Sequence, residues 1–177
     1  MGRSKLSWAL VLVCPFIAIG AASCSSGDTE DATVESGDGE GKGAKAAEVG
    51  DRLTLQGTTY RVTRAEKTAS VGSDEFDTVL ANGQFVVVSL TLTNRKNEPV
   101  TIVDDNIRLI GGNGKNYSTS SDASLAVEDA FLLEEIQPDV SQEGTLVYDI
   151  PPKAIKGSKL EVTDLVSDST AEIKLGL

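Results

Sequence analysis

The chain has 177 residues, 24% of them charged, and a formal net charge of −11. Such an excess of carboxylates is repelled by phosphate backbones, which argues against a nucleic-acid partner. No histidine is present and only two cysteines are, which removes the commonest base of nucleophilic catalysis and the usual ligands of zinc.

The first segment, residues 1–23, reads as a lipoprotein signal peptide. Arg3 and Lys5 open it, an apolar run from Leu6 to Ile19 follows, and Ala21-Ala22-Ser23 precede Cys24. The run is broken by Pro15 and falls short of the about 20 apolar residues that a spanning helix needs. Cys14 fits a cleavage point poorly because the bulky Val13 stands before it. Ala21-Ala22-Ser23-Cys24 resembles the lipobox of bacterial lipoproteins, with Ala21 where that motif most often has Leu. The resemblance implies cleavage before Cys24 and its acylation, hence a lipid anchor at the extracytoplasmic face of the cell membrane. Two or three acyl chains would hold the protein stably where one would be marginal. Cleavage takes Arg3 and Lys5 with it, so the mature chain carries −13. It also leaves Cys24 as the last cysteine, so the mature domain has no disulfide and must be stable through packing.

Residues 24–47 read as the lipidated cysteine followed by a flexible, acidic linker rich in Gly and Ser. Val34 is the one large apolar side chain between Ser25 and Ala47. A stretch of this kind buries too little surface to offset its ordering entropy, which predicts a disordered tether. As a Gly-rich coil it would span roughly 25–30 Å.

Residues 48–177 switch to a period of two. Leu53 and Leu55, then Tyr60 and Val62, alternate with polar neighbours. Val86, Val88, Leu90 and Leu92 share one face, with Ser89, Thr91 and Thr93 on the other. Val100 and Ile102, Ile107 and Leu109, Leu146 to Ile150, Leu160 and Val162, and Ile173 and Leu175 continue the pattern. Turn signals stand at Asn82-Gly83, Asn97-Glu98-Pro99, Gly112-Asn113-Gly114 and Pro151-Pro152. About eight short strands at this spacing predict an all-β, antiparallel sandwich. Residues 67–82 read as a long loop, and 121–136 as either a short helical turn or an ordered loop.

Gly83-Gln84-Phe85-Val86-Val87-Val88-Ser89-Leu90-Thr91-Leu92-Thr93-Asn94 resembles the immunoglobulin-like domain of unknown function found in exported lipoproteins of Gram-positive bacteria. Members of that family sometimes carry the misleading label of telomeric repeat-binding factor. Val49-Gly50-Asp51, Asn113-Gly114-Lys115 with Tyr117, and Gly144-Thr145-Leu146-Val147-Tyr148-Asp149-Ile150-Pro151 extend the likeness over roughly 48–177. The family usually has Pro-Gly-Glu where this chain has Pro138-Asp139. The resemblance implies an immunoglobulin-like β-sandwich and brings no catalytic residues and no cofactor.

Candidate chemistry is sparse. A Ser-Lys dyad is the remaining route to a nucleophile, and no motif sets one beside the other. Gly111-Gly112-Asn113-Gly114-Lys115 lacks the hydroxyl residue and spacing of a phosphate loop and reads as a hairpin turn. Asn116-Tyr117-Ser118 is formally a glycosylation triplet. Asp74, Glu75 and Asp77 are weak candidates for calcium, as is the cluster Asp104-Asp105-Asn106, because hard cations take carboxylate and carbonyl oxygens. Neither has EF-hand spacing, and solvated turn residues or caps are the simpler reading of both. Phe85 and Val87 face away from Val86 and Val88, either as a partner surface or packed beneath 67–82. These features together predict a non-enzymatic, lipid-anchored module for protein–protein or cell-envelope interaction. The alternative is a small-ligand or calcium-binding accessory lipoprotein.

Overall fold

A computed structural model describes residues 32–35, 46–73 and 77–177. The strands are β1 (Ala32–Glu35), β2 (Ala47–Glu48), β3 (Arg52–Leu55), β4 (Thr58–Val71), β5 (Val79–Asn94), β6 (Val100–Val103), β7 (Ile107–Ile110), β8 (Asn116–Tyr117), β9 (Leu133–Ile136), β10 (Ser141–Ile150), β11 (Lys159–Thr163) and β12 (Thr170–Lys174). One short helix, α1 (Ser121–Leu125), interrupts them. Two five-stranded sheets form, in the orders β1-β3-β4-β5-β10 and β2-β12-β11-β7-β8, with β6 and β9 as a separate ribbon. Pairing is antiparallel except for β2, which runs parallel to β12. The chain is a β-sandwich.

The alternation seen in the sequence supplies the core. Leu53, Leu55, Val62, Val86, Val88, Leu90 and Leu92 from the first sheet meet Ile107, Leu109, Leu160, Val162 and Ile173 from the second, all buried. Tyr148 crosses between them: it is fully buried on β10, and its hydroxyl donates to the carbonyl of Ile107 at 2.6 Å. Phe85 and Val147 point to the opposite face of the first sheet and form a second, smaller core with Ala123 of α1. Phe85 is only 1% exposed, so it is a packing residue rather than a partner surface. Val71, Val79 and Ala81 pack there too, so residues within 67–82 do help to cover it.

Two expectations are corrected. Residues 67–82 are not a long loop: β4 runs to Val71 and β5 starts at Val79, so most of the segment is a two-stranded arm. Asn82-Gly83, a turn signal in the sequence, does not separate two strands. It lies in a bulge of β5, where Thr68 pairs with Phe85 but Ser70 with Leu80. Asp149 holds this bulge by accepting from the backbone N–H of Asn82 at 2.8 Å and of Gly83 at 2.9 Å. A Cβ on Gly83 would lie 2.4 Å from the Ile150 carbonyl oxygen, so the glycine serves close approach rather than turning. Within the stretch read as tether, residues 32–35 are described and form a strand. Ala32–Glu35 forms β1, paired with β3 in the register Ala32↔Leu55 to Glu35↔Arg52, and Ala32 and Val34 pack against the core. Two apolar side chains and an open sheet edge suffice for four residues, a contribution that averaging over the whole segment conceals. Ala47 is fully buried in β2 and belongs to the sandwich. The rest of the proposed tether, the signal peptide and Cys24 lie outside the described residues.

The Pro138-Asp139 turn keeps the geometry that a glycine would give. Asp139 adopts φ +58°, a left-handed conformation that Asp tolerates better than most residues. Its N–H donates to the Asn94 carbonyl at 2.9 Å.

Candidate functional site

The carboxylates singled out in the sequence are scattered. Asp77 accepts from the N–H of Ser73 at 3.0 Å and from its hydroxyl at 2.9 Å, tying the two ends of the arm's turn. Asp74 and Glu75 lie outside the described residues. Asp104, Asp105 and Asn106 make a single 3-10 turn between β6 and β7, and Asp104 accepts from the Thr119 hydroxyl. Among the described residues, no group of three or more His, Cys, Asp or Glu side chains is gathered as a metal ion would need. Gly111 to Lys115 form the β7–β8 turn, closed by Gly111 N–H to Lys115 O at 2.9 Å and Gly114 N–H to Gly111 O at 2.8 Å. It is a hairpin turn, as the Asn-Gly pair predicts. No helix among the described residues is long and apolar enough to cross a membrane.

The geometry does bring one set of chemically useful groups together, at the end of the sandwich where β5 leads into β6 and β11 into β12. A cavity of about 240 Å3 is lined there by Tyr60, Lys96, Asn106 and Asp164, with Val100 and Ile102 among its apolar walls. Each polar group is held by the fold. Asn94, fully buried at the end of β5, spends its side chain on the following loop. Its Nδ2 donates to the carbonyls of Glu98 at 2.8 Å and Ile136 at 2.9 Å, and its Oδ1 accepts from the Lys96 N–H at 2.8 Å. Gly57 allows the Lys96 stem to cross the β3–β4 turn, since a Cβ there would sit 2.9 Å from Lys96 Cγ, and its carbonyl receives the Arg95 N–H at 2.8 Å. Lys96 Nζ thereby reaches Asp164 Oδ2 at 3.5 Å.

Asp164 is tied into the β11–β12 loop. Its Oδ1 accepts from the N–H groups of Val166 and Ser167 and from the Ser167 hydroxyl, all within 3.0 Å. Burial pushes this carboxyl up, but those donors and Lys96 outweigh it and hold its pKa below the ordinary carboxylate value. Tyr60 is 3% exposed, and burial, with the negative charge of Asp164 beside it, pushes its phenol well above 10. Asn106, also buried, donates from Nδ2 to the Thr163 carbonyl at 3.2 Å. At the mouth, Leu165 and Val166 are 60% and 89% exposed.

Sequence reasoning placed Tyr60 and Ile102 in the core and Asn106 in an acidic cluster, and it passed over Lys96 and Asp164 altogether. The signal that was available is Asn94, which closes the family-like motif on β5. A buried asparagine at a strand end must satisfy its amide, and doing so fixes the loop that carries Lys96.

The fold is shared with several solved structures. The yjhA protein of Bacillus subtilis superposes with a TM-score of 0.57 at 14% identity, covering 73% of this chain and 98% of that one. A conserved hypothetical protein of Bacillus anthracis gives 0.53 at 18% identity, covering 73% and 96%. MPT63, a secreted protein of Mycobacterium tuberculosis, gives 0.53 at 14% identity, covering 74% and 97%. No curated protein matches the chain. The model of one protein family matches residues 47–172, which is most of the sandwich and well over half of the chain. The chain belongs to that family, described as a domain of unknown function, DUF4352.

Proposed function

We propose that this protein is a lipid-anchored lipoprotein on the extracytoplasmic face of the cell membrane, whose sandwich serves as a non-enzymatic interaction module. The observation that carries the reading is Ala21-Ala22-Ser23-Cys24 at the end of a short apolar run behind Arg3 and Lys5. The description of the M. tuberculosis relative as a secreted protein supports an exported location. The sequence contains no histidine, the commonest base of nucleophilic catalysis, which supports binding rather than catalysis.

β1 sets the geometry of the anchor. Ala32 pairs with Leu55, so the chain enters at the end of β3 that leads into the Gln56-Gly57 turn, beside Lys96. Only seven residues separate Cys24 from Ala32. Fully extended, these reach no more than about 29 Å. An acyl group on Cys24 would then lie within that reach of the cavity end of the sandwich, nearer than a free tether running to Ala47 would allow.

Replacing Cys24 with Ala tests the reading. The full chain should partition into the detergent phase and be cleaved by protease added to intact cells, and Cys24→Ala should shift it to the aqueous phase. A variant that partitions as the parent does would overturn the anchor, and protection from external protease would overturn the location.

A further inference from the structure

The cavity between Tyr60, Lys96, Asn106 and Asp164 holds polar groups with unspent hydrogen-bonding capacity. The Tyr60 side chain is almost wholly buried, and its hydroxyl has no hydrogen-bond partner among the described residues. That hydroxyl is not sealed off: it opens into the cavity and is free to bond what occupies it, whereas the sealed, unsatisfied side-chain oxygens among the described residues are those of Thr58 and Ser158. Asn106 uses Nδ2 on Thr163 and leaves Oδ1 without a protein donor. Asp164 is saturated at Oδ1, whereas Oδ2 meets only Lys96 Nζ at 3.5 Å. A tight charged pair would close to about 2.7–2.9 Å, so this one is loosely engaged.

We propose that this cavity binds a free α-amino acid with a branched apolar side chain, seated as a zwitterion between Lys96 and Asp164. Its carboxylate accepts from Lys96 Nζ and the Tyr60 hydroxyl. Its ammonium donates to Asp164 Oδ2 and Asn106 Oδ1. Its side chain lies against Val100 and Ile102 and is covered by Leu165 and Val166, which accounts for two exposed apolar residues at the mouth. A zwitterion replaces the long ion pair by two shorter ones without changing the charge of the site. A simple anion would instead face Asp164 and Glu98, and a simple cation would face Lys96. Size agrees: 240 Å3 is the share of about eight water molecules and lies below the roughly 300–1,000 Å3 of sites for drug-sized ligands. Valine and leucine are of that size. The proposal stands apart from the lipid anchor, because it rests on described residues alone.

Calorimetric titration of the full chain in nonionic detergent tests it. The probes are L-leucine, isoamylamine, which lacks the carboxylate, and 4-methylpentanoate, which lacks the ammonium. Leucine should bind saturably at one site, and each truncated analogue should bind at least about tenfold more weakly, since each forfeits charge-assisted hydrogen bonds. Tyr60→Phe should weaken leucine binding about fivefold while leaving the ligand-free melting temperature unchanged or raised, because the hydroxyl has no protein partner to lose. Lys96→Met should weaken leucine binding but not that of isoamylamine. Absence of saturable heat with leucine, isoleucine and valine at millimolar concentration would overturn the proposal. So would equal affinity for leucine and isoamylamine, or a Tyr60→Phe protein that binds leucine like the parent.

Discussion

Tyr148→Phe should make the protein less stable at neutral pH and more stable in strong alkali. The Tyr148 hydroxyl bridges the sheets through its 2.6 Å bond to Ile107. Losing a buried hydrogen bond costs about 1–2 kcal/mol, which for a domain of this size lowers the melting temperature by about 4–8 °C. The alkaline behaviour follows from the phenol. Burial, and secondarily the charge of Asp104, push the Tyr148 pKa well above 10. A group whose folded pKa is raised contributes stability that is complete below its unfolded pKa, near 10, and is lost as pH rises towards the folded value. Each such phenol removes about 1.4 kcal/mol per pH unit in that window. Tyr60 is shifted in the same direction, so the parent carries two and the variant one. A handicap of about 1–2 kcal/mol is then recovered about 0.7–1.4 pH units above 10. Urea melts between pH 7 and 12 should give stability curves that converge and cross at about pH 10.7–11.4. Lysines titrate in the same range, but they are common to both proteins and cancel in the difference. Parallel curves would refute the reasoning and mean that Tyr148 ionises as readily folded as unfolded.

Leu90→Ala should cost about 2–5 kcal/mol in chemical denaturation and Thr91→Ala far less, because Leu90 is 3% exposed and its neighbour faces the other way. Deleting residues 25–35 from the mature chain should lower the melting temperature measurably, since it strips β1 from the β3 edge and uncovers the core beside Val34; an unchanged value would show that β1 contributes nothing. Gly144→Ala should destabilise by about 1–3 kcal/mol, because the added Cβ would lie 2.9 Å from Phe131 Cβ in a packed interior; calorimetric scanning reads the loss. Asp139→Gly should be within about 1 kcal/mol of the parent, relief at φ +58° being offset by the extra chain entropy of glycine, whereas Asp139→Val should be clearly worse in the same denaturation assay.

Much of the fold was legible because a half-buried strand writes its burial into alternate residues. Leu53, Leu55, Val86, Val88, Leu90, Leu92, Leu160, Val162 and Ile173 follow the phase read from sequence, and all are buried. The failures occurred where local and tertiary signals diverge. Asn82-Gly83 carries a turn's composition, but the side chain that fixes its conformation is Asp149, a residue distant in sequence. β1 is four residues of modest hydrophobicity whose strand state comes from an unpaired edge on β3, which no local window contains. Phe85 looked outward on its strand because the sheet has a second covered face, and its lid, α1, comes from residues that fit either a helical turn or a loop.

The cavity was the least legible part, and the reason lies in topology. Tyr60 comes from β4, Lys96 from the β5–β6 loop, Asn106 from the turn after β6, and Asp164 from the β11–β12 loop. No two of them are close enough in sequence to make a motif. Each has an ordinary structural reading alone: a core tyrosine, a surface lysine, a turn asparagine, a capping aspartate. What distinguishes them is the bookkeeping of hydrogen bonds in three dimensions. Asn94 uses both amide protons and its carbonyl within the fold, and is thereby purely structural. Tyr60 is buried too, but its hydroxyl lines the cavity and bonds no described residue. Asn94 spends its polar atoms on building the end of the sandwich, whereas the Tyr60 hydroxyl opens into the cavity, and that difference is visible only in three dimensions.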